Sequence, residues 1–248
     1  MVTEDPTGLA VVIGAGGMGA AVAQRLARDR RVLVADLDGD RAAAVAAGIC
    51  RAGGAADAVR CDVTSPQSVA ALAGRVGGEG GMAVLAHVAG LSPSMGDFDT
   101  IVRVNLVGPA LVTAALLPQA RPAAAAIMIA SVAAHLGPFP DAVLDLIRRA
   151  AAAPDLPDRL RHLIGADKAV PDMAYRLSKA GLVMLCRRRA REWGARASRI
   201  LSLSPGLIAT PMGAREFAAS AAKRKLFELS PLKREGTMEE ITEVVAFL

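Results

Sequence analysis

Leu9-Ala10-Val11-Val12-Ile13-Gly14-Ala15-Gly16-Gly17-Met18-Gly19-Ala20-Ala21 decides how the rest of the chain is read. An apolar run of strand length enters a GxGxxG loop, and a helical pattern leaves it from Gly17 to about Asp29. Glycine is needed in such a loop because a pyrophosphate must approach backbone N–H groups that a Cβ would block. The helix N-terminus behind it favours the anion. Gly14 permits the tight turn, Gly16 the phosphate approach and Gly19 the packing of helix on strand, with Gly17 and Met18 in the same turn. Asp36 follows Gly16 by 20 residues, at the end of the next apolar run. A carboxylate there accepts both hydroxyls of an adenosine ribose and repels a 2′-phosphate. No basic residue stands at Leu37 or in the glycine loop, so NAD is expected over NADP. The alternative for Asp36 is a turn or N-cap role beside Asp38.

Working outward, strand-length apolar runs alternate with helical patterns. Strands are expected at Leu9–Ile13, Val32–Ala35, Ala58–Cys61, Met82–Val88, Ala124–Ala130 and Arg199–Leu203. Helices are expected from Arg41, from Ser65-Pro66 (Ser at the N-cap, Pro at the first position), over Asp99–Leu117 and over Asp172–Trp193. Strands apolar throughout, joined by helical crossovers, predict an α/β fold: a Rossmann-type, doubly wound parallel sheet covered on both faces. No repeat or linker divides residues 1–248, so a single domain is expected. The proline-rich stretch at about 136–171, with helical patches near Ala142–Ala153 and Arg159–Ile164, reads as an inserted pair of short helices.

Composition excludes several classes. The chain has 248 residues, 53% of them hydrophobic, but aromatics are only 3% and alanine is the largest apolar contributor. The longest uncharged stretches, 6–24 and 122–140, are interrupted by glycines or by Ser131, His135 and prolines, so no membrane span is expected. Glu4 and Asp5 stand where a signal peptide carries positive charge, which argues against secretion. Cys50, Cys61 and Cys186 are odd in number and far apart, which points to a reducing cytoplasm and to neither a disulfide framework nor a metal site. The net charge of +5 invites a nucleic-acid partner, but the basic residues are scattered. Their one run, Arg187-Arg188-Arg189 with Arg191, has only Trp193 nearby for stacking. A solvated helix face or subunit contact is expected there.

Tyr175-Arg176-Leu177-Ser178-Lys179 places the chain's only tyrosine and a lysine four apart, on one helix face. A phenol is a poor base at neutral pH unless a cation favours phenolate; Lys179 with a nicotinamide's charge would provide that. Together with the glycine loop, this pair makes the sequence resemble the short-chain dehydrogenase/reductase family over almost the whole chain. Asp62-Val63 matches the family's adenine-contacting pair, and His87-Val88-Ala89-Gly90 stands where the family usually has Asn-Asn-Ala-Gly, Ala89 and Gly90 lying under the cofactor. Asn105 matches the helix asparagine and Ser131 the catalytic serine. Ser204-Pro205-Gly206-Leu207-Ile208-Ala209-Thr210 matches the loop that holds the nicotinamide carboxamide, through Pro205, Gly206, Ile208 and Thr210.

The resemblance implies hydride exchange between NAD and a secondary alcohol or ketone. Ser131 would hold the substrate oxygen, and Tyr175 would exchange its proton. Lys179 would lower the tyrosine pKa and bind the nicotinamide ribose, and Asn105 would hold a relay water. It also implies a cytoplasmic homodimer or homotetramer. Three departures stand out: the loop is GxGxxG, with Ile13 replacing the family's threonine; His87 replaces an asparagine; and Ser131 and Tyr175 are 44 residues apart, where about a dozen is usual. A similar insertion is found in bacterial hydroxysteroid dehydrogenase/carbonyl reductase-type members. Leu136, Phe139, Val143, Leu144 and Ile147 suit either a hydrophobic, steroid-like substrate wall or simple helix packing, and His135 is expected to be a loop residue. Pro211–Ser230 falls where the family has its substrate lid; Pro211, Met212, Phe217 and Leu226 would meet an apolar substrate, and Lys223, Arg224 and Lys225 an acidic one. The family normally continues past Val244–Leu248 through a seventh strand, so a C-terminal tail is expected to be missing from the sequence. The competing function is a catalytically silent NAD(P)-sensing regulator on the same fold. Such regulators usually lose the tyrosine or lysine, and this chain keeps both.

Overall fold

β1 (Leu9–Ile13) is buried at every position, as an uninterrupted apolar strand must be when helices cover both sheet faces. The computed structural model describes residues 8–210 and 221–248. Around β1 lie β2 (Val32–Asp36), β3 (Ala56–Arg60), β4 (Met82–His87), β5 (Ala120–Ile129) and β6 (Arg199–Leu203). They form one six-stranded sheet in the order β3-β2-β1-β4-β5-β6, with every pairing parallel. From β1 the chain winds outward through β2 and β3, then returns to place β4 on the other side. The connections therefore diverge at the carboxyl ends of β1 and β4 and leave a crevice between them. β3 departs from the expected all-apolar pattern: its residues alternate between half-buried and exposed, because it is an edge strand.

On one sheet face lie α1 (Gly17–Leu26), α2 (Gly39–Arg51) and the last helix, α10 (Met238–Phe247), over a core of Val12, Val22, Val34, Ile127 and Ile241. Across the sheet, a larger core of Leu33, Leu85, Leu106, Met128, Leu177 and Trp193 gathers α3 (Pro66–Gly78), α4 (Phe98–Val102), α5 (Gly108–Leu116) and α8 (Pro171–Gly194). The N-cap expected at Ser65 is present: its hydroxyl accepts from Ser68 N, with Pro66 opening α3. The helix expected over Asp99–Leu117 is interrupted. A π turn at Arg103–Val107 separates α4 from α5, with Asn105 at its centre. The continuous run Phe98–Gln119 is long and apolar enough to cross a membrane, yet 61% of its most apolar window is buried within the fold.

The inserted pair appears as α6 (Asp141–Ala150) and α7 (Leu156–Ile164). Val143 and Ile147 of α6 are buried in the same core as α8, and the Cβ of an alanine at Gly181 would lie 3.0 Å from the Ile147 side chain. Simple packing therefore accounts for Val143 and Ile147, whereas Leu136 remains 45% exposed. Of the expected lid, Pro211, Met212 and Phe217 lie outside the described residues. Its later part is the helix α9 (Ala221–Leu229).

Candidate active site

The glycine loop fits a pyrophosphate. Gly14 has φ +102°, and a Cβ on it would lie 2.6 Å from Ala89 N, so both conformation and proximity require glycine. That proximity arises because Val88 N and Ala89 N both donate to Ile13 O, locking the loop after β4 against β1. A Cβ on Gly19 would fall 1.8 Å from Gly14 O, which holds α1 close to the strand. Gly16 is different: a Cβ there would meet no heavy atom within 4 Å. It opens toward the crevice beside the first turn of α1 (Gly17, Met18), whose N–H groups have no partner within the helix.

Asp36 closes the far side of this cradle. Its Oδ2 accepts from Ala15 N at 2.6 Å and its Oδ1 from Asp38 N at 2.8 Å, tying the end of β2 to the glycine loop. The cap of α2 is Asp38, which accepts from Arg41 N, so Asp36 is not the cap. Arg41 Nη1 lies 3.9 Å from Asp36 Oδ1, a cation that the loop sequence did not reveal. Asp62 Oδ1 accepts from Thr64 N and Thr64 Oγ1 at 2.9 and 2.7 Å. Val63 turns into the core against Gly108.

The fold brings Ser131, Tyr175 and Lys179 together. Ser131 follows β5, where its hydroxyl accepts from Ala133 N at 3.2 Å. The Tyr175 phenol, projecting from α8, is brought beside Ser131 although the two stand 44 residues apart in the chain. Burial pushes the phenol up and the Ser131 side chain pulls it down, with burial the larger effect. This is opposite to the depression expected from Lys179. Burial drives Lys179 itself down to about 8, which weakens its charge as a counterweight. Lys179 is 5% exposed; its Nζ donates to Ile129 O at 2.8 Å and sits 5.7 Å from the Tyr175 ring centre.

Asn105 is buried in the π turn. Its Oδ1 accepts from Leu91 N at 2.7 Å and its Nδ2 donates to Leu91 O at 2.8 Å. Its amide is therefore committed to the loop after β4, and what it can offer a water is its backbone carbonyl. Ala89 and Gly90 lead into that loop, and a Cβ on Gly90 would meet Asn105 Oδ1 at 3.3 Å and Lys179 Nζ at 3.5 Å. The segment after β6 joins the site from the other side. Val132 N donates to Pro205 O at 2.8 Å, and His135 Nε2 lies 3.2 Å from Ser204 Oγ. Gly206, Ile208 and Thr210 continue that segment; Ile208 bridges Gly236. Arg176 donates to Leu136 O and stacks 5.4 Å over Phe139, which fastens the start of the insertion beside Tyr175. Among the described residues, no cluster of His, Cys, Asp or Glu is grouped as metal ligands. One residue that the sequence showed only as a departure from the family's asparagine is His87, buried with an unpartnered Nε2. The only signal was a titratable side chain closing an apolar strand.

Comparison with known proteins agrees with this fold. Residues 8–142 match the family described as short chain dehydrogenase, and residues 162–248 match enoyl-(acyl carrier protein) reductase. The short-chain reductase protein NovJ of Streptomyces niveus is 31% identical over 261 residues, covering 97% of this chain and 86% of that protein. The 3beta-hydroxysteroid dehydrogenase 1 of Eggerthella lenta is 26% identical over 260 residues, covering 99% and 88%. The crystal structure of a dehydrogenase/reductase from Sinorhizobium meliloti superposes with a TM-score of 0.75 at 25% identity, covering 97% of this chain and 87% of that one.

Proposed function

Because the chain belongs to the short-chain dehydrogenase/reductase family of nicotinamide-dependent oxidoreductases, we propose that it interconverts a secondary alcohol and a ketone with NAD. The observation that carries this reading is the meeting of Tyr175 and Ser131, from distant parts of the chain, beside the buried Lys179 ammonium. When bound, the nicotinamide supplies the hydride acceptor or donor. Tyr175 takes the proton from the alcohol oxygen, or returns it to the carbonyl oxygen in reduction. Ser131, beside that phenol, holds the same oxygen in reach. Lys179, fixed by Ile129 O, keeps a positive charge beneath the ring, and its two remaining N–H groups are left for the nicotinamide ribose and for one water from which a proton relay starts. Asn105 holds the loop after β4 in place through Leu91 and offers the relay its carbonyl. The preference for NAD rests on Asp36, whose partly buried carboxylate repels a 2′-phosphate.

The substrate we propose is hydrophobic. Leu136 and Met95 are 45% and 49% exposed, and Phe139 is fastened beside Tyr175 through Arg176. The name of the Eggerthella relative makes a hydroxysteroid the first alcohol to try. Three free cysteines suit the cytoplasm, where we place the protein as a homodimer or homotetramer. The test is a panel of secondary alcohols and ketones with NAD(H) and NADP(H), read at the nicotinamide absorbance, for the wild type and Tyr175→Phe. We expect turnover with NAD that Tyr175→Phe removes while NAD still binds. A flat response across the panel with NAD bound would favour the sensing role instead.

A further inference from the structure

His87 closes β4 in register with Ile13 on β1 and Met128 on β5. Strand alternation turns it to the face of Leu85, the side of the sheet that α8 covers. The residue is 1% exposed. Its Nε2 is buried and has no hydrogen-bond partner. With the ring proton on Nδ1, Nε2 presents a lone pair to the interior. A buried acceptor left in that state is costly, and such groups usually find a donor or an ordered water.

The Lys179 ammonium is a strong donor close to this ring. Lys179 Nζ spends one of its three N–H bonds on Ile129 O, and Ile129 directly follows Met128, the register partner of His87. The ammonium thus hangs over the two strands between which the imidazole is wedged. Its field is felt there: burial first, and Lys179 second, push the ring down to about 3, so His87 stays neutral wherever Lys179 titrates. The other groups facing Nζ are the Tyr175 ring on α8, the Asn105 side chain in the π turn, and Gly90 after β4. Among the described residues no carboxylate acts on it; burial is the one cause of its shift.

We propose that His87 is a positioning residue for Lys179, its unprotonated Nε2 accepting a hydrogen bond from the ammonium through one bridging water. This rests on the reading of Lys179 as the active-site lysine. The contact opposes the desolvation that drives Lys179 toward the neutral amine, so it preserves the charge under Tyr175. It also explains a histidine where asparagine would be usual: an amide carries donors as well as an acceptor, whereas this tautomer offers an ammonium an acceptor alone at that point.

The chain has five lysines and three histidines, few enough for side-chain NMR of the full-length protein, free and with NAD bound. Lysine Cε signals are followed against pH, Lys179 being assigned by its loss in Lys179→Met. Histidine ring nitrogens are read by long-range proton–nitrogen spectra. We expect an Nδ1-protonated His87 that does not titrate down to about pH 5. In His87→Leu the Lys179 midpoint should fall by about one pH unit, a tenfold loss of ammonium over amine, as for a lost hydrogen bond to a charged group. His87→Gln, whose amide oxygen can accept, should restore most of the shift. An Nε2-protonated ring, or an unchanged Lys179 midpoint in His87→Leu, overturns the proposal. If His87→Leu does not fold, the wild-type tautomer and His87→Gln decide it. Tyr175→Phe separates the two readings: retained turnover there removes the active-site assignment itself. Lost turnover with an unmoved lysine midpoint removes only the role of His87.

Discussion

Three glycines in one turn should respond to the same substitution in opposite ways, which separates folding from cofactor binding. At Gly14, alanine must adopt φ +102° and place its Cβ 2.6 Å from Ala89 N. The backbone conformation alone costs about 1–2 kcal/mol, and forcing apart two hydrogen-bonded loops adds roughly 1–3 kcal/mol. For a chain of this size the Tm should fall by roughly 5–20 °C. At Gly19 the contact with Gly14 O, at 1.8 Å, involves backbone on both sides, so the loss should be at least as large. Gly16→Ala should behave otherwise. Its φ of −69° suits any residue and its Cβ meets nothing, so the Tm without cofactor should stay within about 4 °C of wild type. Yet that Cβ occupies the approach to the N–H groups at the start of α1. Losing one charge-assisted hydrogen bond, about 1.5–3 kcal/mol, weakens NAD about 10- to 150-fold. Calorimetric titration with NAD, paired with melting curves with and without it, measures both quantities. If Gly16→Ala bound NAD as tightly as wild type, the pyrophosphate would not lie on this loop, and the assignment of the crevice would fail.

Other outcomes follow from the same geometry. Asp36→Ser removes the carboxylate while Arg41 stays within reach, so NADP use should rise and NAD use fall, shifting the ratio of their kcat/KM values at least tenfold; an unmoved ratio would mean that Asp36 does not read the ribose. His87, held near 3 in the folded chain against 6.5 when unfolded, binds fewer protons folded than unfolded between those values. Its contribution to stability is therefore complete above about pH 6.5 and is lost as pH falls toward 3, at up to about 1.4 kcal/mol per pH unit. Denaturant titrations of wild type and His87→Gln across that window should converge at acid pH, and parallel curves would refute the burial of a neutral ring. Lys179, lowered to about 8 from 10.5, has the same sign, so its burial makes the protein more stable as pH rises from about 8 to about 10.5, and Lys179→Met should flatten that limb.

Much of the architecture was legible because it is local. A buried parallel strand must be apolar along its length, a crossover helix must show its own period, and a phosphate turn must have glycine where a side chain would intrude. Ser65-Pro66 announced a cap, and that cap is present. Where local pattern was the only guide, it erred for identifiable reasons. Residues 99–117 read as one helix, yet the Asn105 amide bonds the Leu91 backbone, and the helix carries a π turn there. Ala58–Cys61 read as an apolar, buried strand, but the strand is Ala56–Arg60, and as an edge strand it has a neighbour on one side only.

The sequence alone determined the alternation of strands and helices, the glycine turn and the placing of Tyr175 and Lys179 on one helix face, since each depends on residues a few positions apart. Tertiary structure alone decided what lies across the sheet: the order β3-β2-β1-β4-β5-β6, the meeting of Ser131 with Tyr175 across the insertion, and the wedging of His87 between Ile13 and Met128. The electrostatics belong to that second group. A phenol pushed up, an ammonium brought down to about 8 and an imidazole held neutral all follow from loss of water around them, which depends on packing between distant segments.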